Sequence, residues 1–489
     1  MKILMVTAEA VPFAKTGGLA DMVSALAAAL GKAGHDVRIV MPRYYAIDRS
    51  KLKPLDGPMG VHVSWYHEMW TAVFTTVLPG TKVPVYFIDH EHSFGRDGVY
   101  GSPTDPDFGD NPVRFSVLCN GAFQLCRKIG WYPDVVHAHD WSAALAPVLL
   151  KYTQRGGGFE HTGSVFTIHN LGYQGNYSKD SYPALGLPWE HYFDSGFEDW
   201  NRINFLKAGL TSSDELTTVS PTYAREIQTP EGGFRMDGIL KIRDNDLTGI
   251  LNGVDTEIWS PEKDKFIAKK YSAADFAEGK LANKKALQKR MGLEVTNKVP
   301  LIGIITRLSD QKGVAELFAP TYGIAYRMCS EIACQFVVLG AGEKWCQDEI
   351  RTLESKLPNF KAFIGFDNEL SHLIEAGSDM FLMPSRYEPC GLNQMYSLLY
   401  GTLPIVRRTG GLADTVDNYD EKGGGDGFMF DYLSPQSLFD TVCWAVYTWY
   451  HKKAHVTKMI ERGMKKKFGW DLSAKRYEEV YKKAQAKHK

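Results

Sequence analysis

Two short stretches of this sequence repeat each other near opposite ends of the chain. Near the start stands Lys15-Thr16-Gly17-Gly18-Leu19-Ala20-Asp21, and near the end Arg408-Thr409-Gly410-Gly411-Leu412-Ala413-Asp414. Each places a cation, then Thr-Gly-Gly, then the first residues of an apolar helical pattern, and each follows a predicted strand. Glycines let backbone N–H groups approach a ligand closely, and the N-terminus of the following helix adds positive potential at the same point. That is chemistry for an anion, and a diphosphate suits it. A single Gly-Gly turn would read as an ordinary strand-to-helix connection. Two copies with a cation at the same offset favour anion binding, with one loop in each of two domains and the ligand in the cleft between them. The loop has neither the Gly-Lys-Ser/Thr ending of a P-loop nor the G-x-G-x-x-G spacing of a dinucleotide site, which weakens a dehydrogenase reading.

Further charged groups stand at other predicted strand ends. Thr306-Arg307-Leu308-Ser309-Asp310-Gln311-Lys312-Gly313 offers two long cations, Arg307 and Lys312, that could meet at one diphosphate or serve as surface ion-pair partners. Pro384-Ser385-Arg386-Tyr387-Glu388-Pro389-Cys390-Gly391-Leu392 puts the carboxylate of Glu388 just before a glycine turn, as a cap or as a partner for a sugar or a developing positive charge. Cys390 reads as a small packed residue whose backbone matters more than its thiol. His169 ends the run Val165 to Ile168, and a lone strand-end histidine is more often structural than catalytic. His137 and His139 share a strand face, but no third ligand stands nearby, so no metal is expected. Asp140 and Trp141 read as a sugar-contacting pair, a carboxylate for hydroxyls and a ring for stacking. The D-x-D spacings Asp105/Asp107 and Asp244/Asp246 are read as chance.

These groups need a scaffold that lines up strand ends. Short apolar runs recur at Ile3 to Val6, Val37 to Met41, Val83 to Ile88, Asp134 to His137, Ser164 to Ile168 and Leu216 to Val219. A second series follows at Leu301 to Ile305, Phe336 to Leu339, Met380 to Met383 and Leu403 to Val406. Continuous apolar strands alternating with helices indicate parallel sheets covered on both faces. The predicted fold class is therefore α/β, with two doubly wound Rossmann-like domains, the first over 1–245 and the second over 246–465. Residues 268–290 read as an exposed helical region. Residues 466–489 read as a terminal segment, where Tyr477, Val480, Tyr481 and Ala484 mark the inner face of a solvated surface helix. A length of 489 residues fits two cores. A formal net charge of -1 argues against a nucleic-acid partner. The seven scattered cysteines form no C-x-x-C pair, which points away from zinc and disulfides and towards a reducing compartment. The sequence shows no signal-peptide layout and no membrane-spanning run, so a cytoplasmic protein is expected, or a plastid one if a transit peptide was removed.

Taken together, these stretches resemble the bacterial glycogen synthase and plant starch synthase family. The resemblance runs through Lys15 to Asp21, His137 to Trp141, Thr167 to Gly175, Gly249 to Asp255, Arg307 to Gly313, Glu388 to Gln394 and Arg407 to Val416. It implies the GT-B fold, two such domains facing each other across a cleft, with the terminal helix crossing back to the first domain. The implied activity is retaining transfer of glucose from ADP-glucose to the non-reducing end of an α-1,4-glucan or maltooligosaccharide. A UDP-sugar transferase, a glucan phosphorylase of the same fold and a non-catalytic glucan-binding protein are the alternatives. The resemblance assigns Lys15, Gly17 and Gly18 to the donor, Arg307 and Lys312 to the leaving diphosphate, and Glu388 and His169 to the glucose. It gives the sugar contacts to Cys390, Gly391 and Leu392 and the phosphate contacts to Thr409 and Gly410. Asp21 and Asn252 would line the nucleotide or cleft region, and Asp140 joins them as a substrate-binding candidate. Phe366 stands near the expected adenine position where many members have Tyr, which keeps stacking and loses a hydroxyl. The eighth residue after Glu388 is Tyr396, not the second Glu of related retaining enzymes, which fits the bacterial and plant branch. No metal or other cofactor is expected, since Lys15, Arg307 and Lys312 supply the charge, and no membrane partner. The oligomeric state is left open.

Overall fold

The computed structural model describes residues 1–64, 67–102 and 104–489. The chain divides into two compact units, Met1–Gly253 with Trp470–Lys489, and Val254–Gly469.

The first unit is built on strands β1 (Lys2–Val6), β2 (Asp36–Pro42), β3 (Lys53–Pro54), β4 (Met59–Ser64), β5 (His67–Val77), β6 (Pro84–Asp89), β7 (Val135–His139), β8 (Gly163–Ile168), β9 (Asn176–Ser178), β10 (Glu198–Asp199), β11 (Arg202–Asn204), β12 (Glu215–Thr218) and β13 (Leu247–Gly249). Its main sheet runs β13-β12-β8-β7-β1-β2-β6-β5-β3, with β4 paired to β5. The stretch from β13 to β6 is parallel throughout. These strands are buried on both faces, as the continuous apolar runs require. The antiparallel edge β3–β5 is a different kind of strand. In β5 the buried Thr71 and Val73 alternate with exposed neighbours, so this edge shows one face to water.

The helix Trp470–Ala486 belongs to this first unit, although some two hundred residues of the second unit precede it. Its inner face is Tyr477, Val480, Tyr481 and Ala484, all buried, as the helical spacing predicted. A Cβ on Gly163 of β8 would stand 2.6 Å from the backbone of Ala484, so the helix lies directly on the sheet. The Ser473 hydroxyl donates to Leu251 O (2.6 Å), and Lys487 pairs with Glu215 and Asp246 (2.8 Å each). Burial opposes the ionised form of Asp246, but bonds from Lys487 and Arg243 outweigh it and hold its pKa low. Asp246 is therefore a tether of the terminal helix. Asp107 likewise accepts from Tyr177 Oη and Asn111 Nδ2 (2.8 Å each), which gives half of each D-x-D pair a structural task.

The second unit contains β14 (Leu301–Ile305), β15 (Gln335–Gly340), β16 (Phe360–Ile364), β17 (Met380–Met383), β18 (Leu403–Arg407) and β19 (Phe428–Phe430). Its parallel sheet has the order β16-β15-β14-β17-β18-β19. The chain winds outward from β14 to β16, then returns to the centre and winds the other way from β17. The division between units follows β13, which pairs with β12 through Leu216↔Leu247. The expected domain boundary at 245/246 lies just before this strand. Its three residues, Leu247-Thr248-Gly249, are too short and too polar to read as one.

The helical region expected at 268–290 is the helix Phe276–Met291, and it is not simply exposed. Lys280, Asn283, Lys284 and Gln288 are buried on its inner face. Lys280 Nζ donates to Thr402 Oγ1 (2.6 Å), Ala376 O (3.1 Å) and Tyr400 O (3.2 Å), and burial pushes its pKa down to about 7. The helix looks polar all round because its buried positions carry hydrogen-bonded polar side chains. All seven cysteines are free, and six are buried. Among the described residues no helix is long and apolar enough to cross a membrane.

Candidate active site

In an open parallel sheet the ligand crevice lies beyond the C-terminal strand ends, where the winding direction reverses. In the second unit that point lies between β14 and β17. The loop after β14 carries Arg307 and Lys312, and the loop after β17 carries Glu388. Lys312 Nζ meets Glu388 Oε2 at 2.6 Å, with both side chains largely withdrawn from solvent. Ser385 Oγ donates to the same oxygen (2.9 Å), so Glu388 is held from two sides. Arg307 lies farther out, its guanidinium directed at Gln311 Oε1 (3.5 Å). The two loops are stitched by Arg386 N to Gln311 O (2.9 Å) and by Asn393 Nδ2 to Ile305 O (3.0 Å).

The loop after β18, the next strand, closes on the same place. Gly411 N donates to Glu388 O (3.1 Å). Gly410 adopts φ +44°, and a Cβ there would stand 1.9 Å from Glu388 O. A Cβ on Gly411 would stand 2.0 Å from Cys390 O. The second Gly-Gly pair is thus required by contact between two loops of the protein. Cys390 is buried, Gly391 has φ +70°, and Gln394 Nε2 bonds Cys390 O (3.0 Å) and Gly391 O (3.1 Å). Leu392 and Thr409 are the residues that lead into the helices Asn393–Leu399 and Gly410–Thr415. Lys312, Glu388, Cys390, Gly391, Leu392, Thr409 and Gly410 therefore occupy one cluster of loops. Phe366 does not join it directly. It follows β16, two strands from β14, and is 81% exposed.

The first unit reverses its winding between β1 and β7. The loop after β1 carries the first Thr-Gly-Gly, and its anchor is Glu9, which was not singled out from the sequence. The buried Glu9 carboxylate accepts from Thr16 N, Thr16 Oγ1 (2.7 Å), Gly17 N (3.3 Å) and Tyr100 Oη (2.8 Å). The Gly17 amide is therefore engaged by the protein itself. Lys15 Nζ pairs with Asp21 at 2.8 Å, and both are partly exposed. Gly18 opens the helix Gly18–Lys32, whose first turn also holds Asp21. Glu9 could have been noticed only as a carboxylate at the C-terminal end of β1. Its partners lie 7 to 91 residues away.

The loops after β7 and β8 hold the rest. Asp140 adopts φ 55°, ψ −179°, a region almost confined to glycine and costing about 1–3 kcal/mol. Its Oδ1 accepts from His169 N (2.7 Å) and Asn170 N (3.5 Å), which fixes the His169 turn. Burial pushes the Asp140 pKa up to about 7, against those amide bonds. Trp141 corrects the sequence reading. It is buried among Tyr100, Phe115, Tyr177 and Phe205, so it packs the core instead of offering a stacking face. His137 bonds Tyr481 Oη (2.9 Å) and Thr167 Oγ1 (2.6 Å), and His139 Nδ1 lies 3.2 Å from His169 Nε2. Burial pushes His137 and His169 down to about 3 and His139 well below its ordinary value, so all three are neutral near pH 7. Asn252 is buried close to the unit boundary, and its Oδ1 has no partner among the described residues. Among the described residues no group of three His, Cys, Asp or Glu could hold a metal ion.

Two doubly wound units, each with a Thr-Gly-Gly loop at a strand end, together with the matches to known glycosyltransferases, make this a glycosyltransferase of the GT-B fold. Residues 2–242 match the starch synthase catalytic domain and residues 284–465 the group 1 glycosyl transferases. The chain belongs to the glycogen synthase and starch synthase family. It is 62% identical to a glycogen synthase of Treponema denticola, over 98% of each chain. It is 47% identical to glycogen synthase 1 of Geobacter metallireducens, over 99% of this chain and 96% of that one. The catalytic domain of starch synthase IV from Arabidopsis thaliana, solved with ADP and acarbose, superposes with a TM-score of 0.89 at 32% identity, over 99% of both chains. Sucrose-phosphate synthase from Thermosynechococcus elongatus shares the fold, with a TM-score of 0.58 at 15% identity over 99% of both chains.

Proposed function

We propose that this chain transfers glucose, with retention of the α configuration, from ADP-glucose to the 4-hydroxyl at the non-reducing end of an α-1,4-glucan. The observation that carries the reading is the largely buried Lys312–Glu388 pair at the switch point of the second unit, with the Gly410-Gly411 turn packed on the backbone of Glu388 and Cys390. A buried ion pair is a poor device for stability alone. Here each member also has a task in the reaction. Lys312, with Arg307 and Lys15, neutralises the diphosphate as the bond from the glucose C1 to the phosphate oxygen breaks. Glu388 holds glucose hydroxyls and supports the positive charge that develops on the ring. His169 holds the sugar through a hydroxyl, and Asp140 holds His169. The leaving phosphate oxygen takes the proton of the acceptor 4-hydroxyl as that oxygen bonds to C1 on the same face. Catalysis is then mostly electrostatic, by groups fixed before the charge appears. The reading needs no metal or other cofactor, because three cations supply the charge.

The partners in this reading are a nucleotide sugar and a glucan, with Phe366 stacking on the adenine, and the setting is the cytoplasm. Family membership and the starch synthase IV structure with ADP and acarbose support the donor and acceptor classes. The test is release of ADP from ADP-glucose, against UDP from UDP-glucose, with and without maltooligosaccharide. Release that requires both ADP-glucose and the glucan is expected. Equal use of UDP-glucose would overturn the donor assignment, and glucan binding without release would overturn catalysis.

A further inference from the structure

His139 lies beneath His169 with no access to solvent. Its Nδ1 is 3.2 Å from His169 Nε2, and its own Nε2 has no hydrogen-bond partner among the described residues. The neighbouring His137 cannot help, because both of its ring nitrogens are engaged by Tyr481 and Thr167. Two neutral arrangements are open to the His139–His169 pair. In one, His139 carries its proton on Nε2, which buries an N–H without an acceptor and leaves His169 a bare acceptor at Nδ1. In the other, His139 carries its proton on Nδ1 and donates it to His169 Nε2, leaving only a lone pair unmatched. An orphaned buried N–H is rarer and costlier than an under-used acceptor, so the second arrangement wins.

We infer that His139 is a positioning residue that fixes the tautomer of His169, so that His169 presents an Nδ1–H donor to the substrate. The pair is neutral because burial disfavours both imidazolium ions. An imidazolium at His139 would in any case leave its Nε2–H unmatched. The inference rests on His169 as the group that holds the glucose. It adds that the hydroxyl oxygen accepts a hydrogen bond there, which leaves its own O–H free to donate elsewhere. Asp140 fixes the backbone of His169 through its amide (2.7 Å), and His139 fixes the proton on the ring.

The test labels histidine nitrogens and reads their tautomers by long-range nitrogen–proton NMR at neutral pH, assigning His169 by its loss in His169→Ala. The expected unaltered protein shows His169 protonated on Nδ1. His139→Leu removes the Nδ1–H donor of His139, so the ordinary preference of a neutral imidazole for Nε2–H competes with the cost of burying it, and His169 should show both neutral tautomers with kcat/KM for the donor lowered about tenfold. His139→Asn, whose amide N–H can stand where Nδ1 stood, should keep the Nδ1–H form and stay within about threefold of the unaltered rate. An Nε2–H signal for His169 in the unaltered protein would overturn the inference. So would equal losses in the Leu and Asn variants with no change of tautomer. If His139→Leu fails to fold, the unaltered and Asn spectra still decide. Absence of transfer by the unaltered protein would refute the proposed reaction, while the tautomer would still decide the role of His139.

Discussion

The two Thr-Gly-Gly loops look alike in sequence, yet alanine should affect them in opposite ways. At Gly411 an added Cβ would stand 2.0 Å from Cys390 O and 2.6 Å from the Cys390 carbonyl carbon and Cα. Ordinary carbon–oxygen contact needs about 3.3 Å, so one loop must retreat by about 1.3 Å. No flexible side chain is available to yield, because the clash is with backbone. Cys390 is two residues from Glu388, and Gly411 N bonds Glu388 O, so the displacement passes to the Lys312–Glu388 pair. A misplacement of about 1 Å costs on the order of 100-fold in rate. Overpacking of this kind costs about 1–3 kcal/mol, equivalent to a drop of roughly 5 °C in Tm for a domain of this size. At Gly18 nothing lies within 4 Å of an added Cβ. Gly18→Ala should therefore keep the unaltered Tm and raise KM for the donor only if a ligand approaches that backbone. Thermal unfolding and steady-state ADP release on both variants check this. Gly411→Ala with the unaltered Tm and rate would refute the steric argument.

Further outcomes are expected. Lys312→Ala should lower kcat about 100- to 1,000-fold with a smaller change in donor KM, because charge on the leaving group grows in the transition state; ADP-release kinetics measure the split. Tyr481→Phe should destabilise the first unit by about 1–3 kcal/mol by removing the partner of His137 Nδ1, as read by denaturant unfolding. His137 and His169 have folded pKa values near 3, well below their unfolded value, so their stability contribution is full above about pH 6.5 and falls as the pH drops towards the folded pKa. Asp140, pushed up to about 7, works the other way, because from about pH 7 down to about pH 4 the folded state holds a proton that the unfolded chain releases. His137→Gln should therefore flatten the loss of stability between about pH 6 and pH 4 by about 1.4 kcal/mol per pH unit, and unfolding curves across that window would expose the absence of such a change.

What the sequence made legible follows from the kind of burial each segment meets. The parallel strands bury both faces, so runs such as Val37 to Met41 and Phe336 to Leu339 stand out from their surroundings. The edge strand β5 alternates, β16 is only partly covered, and β13 and β19 have three residues each, so none offered a run to read. The helix Phe276–Met291 hides its inner face because Lys280, Asn283 and Gln288 reach backbone or side-chain partners there. Strand-end positions drew notice to Lys312, Glu388 and His169, and the family resemblance, not the spacing, gave them their roles. Glu9 was not legible, because its partners Thr16 and Tyr100 are brought to it by loops, and His139, read only as half of an unlikely metal pair, meets His169 only when two strand ends are laid side by side. Trp141 misled for the same reason, since whether an indole beside a carboxylate faces a sugar or a core depends on Tyr100, Phe115, Tyr177 and Phe205 arriving from elsewhere.

The return of the last helix to the first unit sets an order on biosynthesis. When the ribosome has made residue 253, the first sheet still lacks the layer that Tyr477, Val480, Tyr481 and Ala484 will lay over it, and His137 still lacks the hydroxyl of Tyr481. The second unit, by contrast, is one continuous stretch, Val254–Gly469. At about 5–20 residues per second the first half waits roughly 10–50 s for its final helix. The usual N-to-C sequence of domain completion is thereby inverted, with the later-made unit finished first. A nascent chain that stalls before residue 470 leaves β8 and His137 without the helix that packs on them. Such a product exposes apolar sheet, the kind of surface that makes incomplete chains prone to aggregate.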